Sequence, residues 1–201
     1  MPARKIQRFC VRDEKSAREI LTGSMDYIDF YDSPLGKITL ASEGCSINGL
    51  WFEGQKNFAA TLSQNHKARK LAVFDEAKSW LDVYFSGREP PFFPRVSFPQ
   101  NATLFQKRVW TCLLEIPYAK TCSYKTIAEK LSGVNYARAV ASAIGKNPVT
   151  LLVPCHRVLG ARGNLTGYAG GLERKQYLLR LESRTQSFSR SENQRLDAEK
   201  I

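Results

Sequence analysis

The feature that most constrains this chain is a proline-rich break, Glu89-Pro-Pro-Phe-Phe-Pro-Arg-Val-Ser-Phe-Pro99. Proline has a fixed φ and no N–H to donate, and it drives the preceding residue out of the helical region. Such a stretch continues neither a helix nor a central strand. The chain is therefore expected to fold as two units joined by an extended linker at residues 89–100.

The two sides of the break carry different hydrophobic periods. Before it, Tyr27-Ile-Asp-Phe-Tyr31 and Lys37-Ile-Thr-Leu-Ala41 alternate around a Ser33-Pro-Leu-Gly36 turn, and Ser46-Ile-Asn-Gly-Leu-Trp-Phe52 follows a second turn. Alternation with tight turns predicts a small antiparallel meander. From Asp75 the period changes: Ala77, Trp80, Leu81, Tyr84 and Phe85 share one helical face, and Gly87 ends it. Residues 25–88 thus read as an α/β N-terminal domain, a small antiparallel sheet plus a helix, preceded by an extension at residues 1–24. After the break, residues 101–182 read as mainly α. Phe105, Val109, Trp110, Leu113 and Leu114 mark one helix that stops at Pro117. Further helices run from about Ser123 to Leu131, Tyr136 to Gly145 and Leu172 to Glu182. The apolar run Val149–Val153 suits a buried extended segment. The polar tail, residues 183–201, is expected to be disordered.

Charge separates the halves as well. Residues 101–182 carry 12 Lys and Arg against 4 Asp and Glu, whereas residues 25–100 carry 8 against 9. A basic second half beside a neutral first half is the footprint of a polyanion-binding domain. Ser132-Gly133 joins two short helices, and the second of them carries Ala137, Ala139, Ala141 and Ala143. That is the pattern of a helix-turn-helix, whose small side chains allow close approach to a groove, and Arg138 projects from the same helix. The five cysteines (Cys10, Cys45, Cys112, Cys122, Cys155) are odd in number and form no C-x-x-C pair, so reduced thiols are expected rather than a disulfide framework or a zinc knuckle. No apolar run reaches the roughly 18 residues of a membrane span, and residues 1–12 lack the apolar core of a secretory signal. A cytoplasmic location follows as the expectation.

Pro154-Cys155-His156-Arg157 is the sharpest local signal. The thiolate, not the thiol, is the nucleophile, and a free cysteine needs a nearby base or positive charge to ionise near neutral pH. His156 and Arg157 are placed to help. Spacing alone leaves open a buried structural cysteine beside a satisfied histidine.

The wider run is more specific. Asn147-Pro148, Leu151-Leu-Val-Pro-Cys-His-Arg-Val158, Gly167-Tyr-Ala-Gly-Gly171, Arg174-Lys175 and Leu178-Leu179 before Glu182 resemble the O6-alkylguanine-DNA alkyltransferase family. Ser123-Tyr124, Arg138-Ala-Val140 and the Ser33-Pro-Leu-Gly-Lys37 turn stand where that family has matching residues. The resemblance covers roughly residues 27–182 and is closer to bacterial Ogt-type members than to mammalian ones.

That resemblance implies a ribonuclease H-like first domain and a winged helix-turn-helix second domain. It implies irreversible, single-turnover transfer of an alkyl group from O6-methylguanine, and from O4-methylthymine, in double-stranded DNA to Cys155, by a monomer without a cofactor. His156 would act as base through a water, and Glu182 would orient it, the general logic of nucleophile, base and orienter. Asn147 would brace the active-site turn, and Tyr124 would lie beside the everted nucleotide. Arg138 would fill the space the base leaves. Ser123, Lys125, Ala137 and Ala141 join Tyr124 and Arg138 on the expected DNA-binding surface. Val158, Tyr168, Ala169, Gly170 and Pro154 would line the pocket, with small Gly170 leaving room for groups larger than methyl. Vertebrate-like relatives hold zinc in the first domain, but Trp51 stands at one ligand position and only Cys45 lies nearby, so no metal is expected. A non-catalytic alkylated-base-binding protein is the rival reading. Relatives of that kind replace the nucleophile, which this chain retains.

Overall fold

The computed structural model describes residues 25–131 and 136–184. The expected extension, most of the expected tail and the Ser132-Gly133 turn lie outside the described residues.

The first unit is a four-stranded sheet backed by one helix. Strands β1 (Asp26–Ser33), β2 (Gly36–Ser42) and β3 (Ile47–Phe52) form an antiparallel meander, with Tyr31 opposite Ile38 and Leu40 opposite Leu50. Helix α1 (Ala72–Phe85) buries Phe74, Ala77, Trp80, Leu81 and Tyr84, the face given by its helical period. On the opposite side of the sheet the Trp51 ring lies across Gly49. A Cβ at residue 49 would meet the indole at 2.0 Å, so only glycine fits there.

The sheet is mixed rather than wholly antiparallel, which corrects the sequence expectation. A fourth strand, β4 (His66–Ala68), pairs parallel to β1 and gives the order β3-β2-β1-β4. All three of its residues are exposed, so it buries no hydrophobic face and leaves no alternation to read. It is held through its neighbours: the Asp26 carboxylate accepts from the Ser63 N–H at 2.7 Å and from Asn48 Nδ2 at 2.9 Å.

The second unit contains α2 (Leu104–Leu114), α3 (Tyr124–Leu131), α4 (Ala137–Gly145) and α5, helical over 172–184. Thr103 and Gln106 form a reciprocal capping box at the start of α2, satisfying two N–H groups that a helix start leaves bare. A short parallel pair, β5 (Cys122–Ser123) with β6 (Val158–Leu159), ties the start of α3 to the chain just after Arg157.

The proline-rich segment is extended but docked. Ile47 bonds to Arg95 O at 2.8 Å and accepts from Ser97 N at 2.9 Å. Farther along the same strand edge, Leu50 N–H donates to Pro148 O at 2.8 Å and Leu50 O accepts from Thr150 N at 2.9 Å. The free edge of β3, which would otherwise expose unpaired backbone groups, thus receives both the linker and the segment leading to Cys155.

One cysteine departs from expectation. Cys112, Cys122 and Cys155 are free, but Cys45, in the β2–β3 turn, is disulfide-bonded. An odd count argues against a framework of bridges; it does not forbid a single one.

Candidate active site

Cys155 opens a single 3-10 turn, Cys155–Arg157, that follows a tightly folded apolar run. Three hydrogen bonds wind this run: Leu152 N to Thr150 O, Val153 N to Val149 O and Cys155 N to Val153 O, at 2.8–3.0 Å. The winding forces buried Leu151 to φ +72°, a region unfavourable for a branched side chain at a cost of about 1–3 kcal/mol. Asn147 holds the turn from both sides. Its Oδ1 accepts from Val149 N at 3.0 Å, and its Nδ2 donates to Val153 O at 2.8 Å and to the Cys155 sulfur at 3.1 Å.

Behind the sulfur, Glu182 of α5 is the hub of a buried polar cluster. Oε1 is met by His156 Nε2 at 2.8 Å, the Tyr84 hydroxyl at 2.8 Å and Arg157 Nη2 at 2.9 Å; Oε2 accepts from Arg157 Nε at 2.9 Å and Ala119 N at 3.0 Å. His156 and Arg157 hold Glu182 far below the usual carboxylate range against the opposing effect of burial. An ionised carboxylate only accepts, so His156 Nε2 carries a hydrogen. In the neutral ring the lone pair then lies on Nδ1, which is buried and has no hydrogen-bond partner among the described residues. Burial pushes the His156 pKa down, and Arg157 and Lys175 add to this while Glu182 opposes it. The ring therefore rests neutral, as a base requires.

Arg157 does not assist the sulfur as its position in sequence suggested. Its guanidinium is committed to Glu182 and to Ile116 O at 2.8 Å. The cation acting on the thiol is Lys175, fully buried on α5, with Nζ bonded to Val158 O at 2.5 Å and Thr166 O at 2.7 Å and its pKa lowered to about 8, mainly by burial. Burial pushes the Cys155 thiol up, while Asn147 and Lys175 pull the other way. The resting sulfur is a thiol rather than the ionised nucleophile expected from sequence, so a base must take its proton.

The sulfur is also closed off, at 3% exposure. The Tyr124 hydroxyl donates to Gly167 O at 3.0 Å and lies 3.4 Å from Thr166 O, bridging the start of α3 to the loop after Cys155. Two cavities lie away from the sulfur, about 240 Å³ between Trp51, Trp110 and Lys146 and about 620 Å³ between Pro34, Gly170 and Tyr177. Loop residues 161–167 are exposed.

The remaining expected pocket residues surround this point. Pro154 and Val158 are buried on either side of the 3-10 turn. Tyr168 is half-buried with its hydroxyl buried and without a hydrogen-bond partner among the described residues, and its ring lies 6.4 Å from that of His156. Ala169 O accepts from Lys56 N of the first unit at 2.9 Å. A Cβ on Gly170 would come within 2.6 Å of the Tyr168 ring, so the space this glycine leaves is taken by that ring.

Of the expected DNA-facing residues, Arg138, Ala141 and Lys125 are exposed and Ala137 is half-buried. Ser123 Oγ accepts from Thr126 N at 3.0 Å and caps α3, and exposed Lys125 pairs with Glu129 at 3.8 Å. Ala143 faces inward, its carbonyl accepting from Trp110 Nε1 at 2.9 Å.

Sequence reading missed Tyr84 and Lys175 as members of this cluster. A signal existed for Lys175: with Leu178 and Glu182 it falls on one face of α5, and two charged residues on a buried face must have partners.

Residues 104–184 match the family described as 6-O-methylguanine DNA methyltransferase, DNA binding domain, and residues 27–96 match its ribonuclease-like domain. A methylated-DNA–protein-cysteine methyltransferase of Mycobacterium tuberculosis is 43% identical over 151 residues, 75% of this chain and 88% of that protein. The Haemophilus influenzae protein of the same name is 37% identical over 156 residues, 78% and 86% of the two chains. The crystal structure of Mycobacterium tuberculosis OGT in complex with DNA superposes with a TM-score of 0.70 at 40% identity, covering 80% of this chain and 94% of that one.

Proposed function

The chain belongs to the 6-O-methylguanine DNA methyltransferase family, and from that premise we propose that it repairs alkylated double-stranded DNA by moving the alkyl group from guanine O6, or thymine O4, onto Cys155. The observation that carries this reading is a buried thiol held by Asn147, next to a neutral histidine whose free lone pair is fixed at Nδ1 by a saturated carboxylate.

The chemistry follows from the geometry. The alkylated base reaches the sulfur only when its nucleotide leaves the stack, which costs a few kcal/mol. Exposed Arg138, at the start of α4, fills the vacated space, and the small exposed Ala139 and Ala141 let the helix approach the duplex. Tyr124 releases the loop carbonyls and turns its hydroxyl to the purine. The thiol proton passes through a water to His156 Nδ1, and Lys175 and Asn147 stabilise the thiolate. Sulfur attacks the alkyl carbon as the carbon–O6 bond breaks; the electron pair returns to the purine, which takes up a proton. Water does not cleave the resulting thioether, so each molecule acts once.

The division of labour falls on either side of residues 89–100, with the duplex-facing helices and the acceptor thiol on the C-terminal side. The work belongs in the cytoplasm of a bacterial cell, where the DNA lies, and the protein acts there as a monomer without a cofactor. Among the described residues no helix is long and apolar enough to cross a membrane.

The test is a duplex carrying radiolabelled O6-methylguanine. Label is expected to move to protein in a one-to-one ratio and stop there. Continued turnover, or label left on DNA at equimolar protein, rejects the reading.

A further inference from the structure

Tyr84 lies in the first unit, 98 residues before Glu182, yet its hydroxyl reaches the acid–base cluster. The ring is fully buried and fixed by neighbours: stacked on Trp80 at 5.0 Å, and edge-on to Phe85, Tyr118 and His156. Packing alone would be served by phenylalanine. The hydroxyl instead donates to Glu182 Oε1 at 2.8 Å and stands 3.3 Å from His156 Nε2.

We propose that Tyr84 is a positioning residue for alkyl transfer: by sharing Glu182 Oε1 with His156, it sets how strongly the carboxylate holds a proton on the imidazole. This rests on the proposed acceptor role of Cys155. Because Glu182 accepts from Tyr84, less of its charge is available to the imidazolium, and the ring stays neutral to lower pH. The hydroxyl's single hydrogen is committed to the carboxylate, so it cannot be given to Nε2, which would turn the lone pair away from Nδ1. Burial, with Glu182 nearby, holds the phenol pKa well above its usual value, so the donor persists across the working range. The charged and titratable groups facing His156 are Glu182 and Lys175 from α5, Arg157 and Cys155 on its own turn, Tyr168 from the loop, and Tyr84 from α1. Tyr84 is the one that the first unit contributes among the described residues.

The experiment is the single-turnover rate of methyl transfer from an O6-methylguanine duplex as a function of pH, for the wild type, Tyr84→Phe and a protein with fluorotyrosine at position 84. Removing the donor should move the acid limb up by about half to one pH unit, slowing transfer about three- to tenfold on that limb, with little change on the plateau. The more acidic fluorinated phenol, nearly isosteric, should move the limb in the opposite direction. A merely structural role would lower the rate equally at every pH. Superposable profiles for all three proteins overturn the proposal. If Tyr84→Phe fails to melt cooperatively, the fluorotyrosine protein decides alone: a downward shift supports the proposal and an unmoved limb overturns it. A wild type that transfers no methyl group at any pH overturns the acceptor role of Cys155 instead.

Discussion

The segment 147–158 and the helix pair α3–α4 are near neighbours built on opposite principles. Along 147–158 every residue is buried, one sits at an unfavourable positive φ, and Asn147, Cys155, His156 and Arg157 are each hydrogen-bonded inside the protein, with His156 Nδ1 left open. Along α3 and α4 the outward residues, among them Lys125, Arg138, Ala141 and Ser142, are exposed. The first region must hold a sulfur and an imidazole in fixed register with the Glu182 carboxylate before substrate arrives; such preorganisation lowers a barrier only if the groups need not rearrange. The second suits a polyanion whose position is not fixed in advance: its charges stay exposed, Lys125 in no more than a loose surface pair with Glu129, and are available to phosphate. Preorganisation and availability are thus divided between adjacent stretches of chain.

Substitutions in the two regions should therefore fail differently. The largest effect is expected for Cys155→Ala, which should abolish transfer and leave duplex binding in a gel-shift titration nearly unchanged; joint loss of both would merge the two regions. Glu182→Gln should come next. It leaves the buried Arg157 guanidinium uncompensated, at about 3–5 kcal/mol of folding stability, read as a lower urea midpoint together with slower transfer.

The same cluster predicts the acid response. Glu182 is held below its unfolded value of about 4, so its contribution is complete above that pH and fades as pH falls toward the folded value. His156 is held below its unfolded value of about 6.5, so the unfolded chain gains a proton first as pH drops. Both terms favour unfolding on acidification, and the wild-type urea midpoint should fall from about pH 6.5 downward. In Glu182→Gln the part of this fall below about pH 4 should shrink.

Arg138→Ala should slow duplex repair by about tenfold or more, a portion of the eversion cost, while leaving the reaction with the free O6-methylguanine base intact. Equal losses on both substrates would mean that the arginine serves the pocket rather than the duplex. Smallest should be Lys125→Ala: a modest loss of affinity, seen as a decrease of about one in the slope of log binding constant against log salt.

How much of this was legible in the sequence follows the same divide. The turns that bound β1–β3, the buried face of α1 and the amphipathic helices beyond residue 100 are local patterns, and the structure carries them, although β3 and most of β2 are buried on both faces rather than alternating. The fold class and the cluster around Cys155 could be named because a long contiguous motif resembles a known family. What escaped has no local pattern. Strand β4 is exposed and charged, and is held by Asp26 from a distant strand. The linker looked free because its partner, the edge of β3, becomes available only once the sheet exists. Tyr84 read as core because its ring is core; only the meeting of α1 with α5 gives its hydroxyl a carboxylate. Arg157 looked like help for the sulfur until the turn of the chain aimed it at Glu182.

The central claim is that one sulfur accepts the alkyl group and keeps it. Intact-protein mass spectrometry after incubation with an equimolar O6-methylguanine duplex, with peptide mapping, tests it most directly. The mass should rise by one methylene unit per molecule, confined to the peptide containing Cys155 and stable to prolonged incubation. An unchanged mass, or a methyl group found on Cys112 or Cys122, would contradict it.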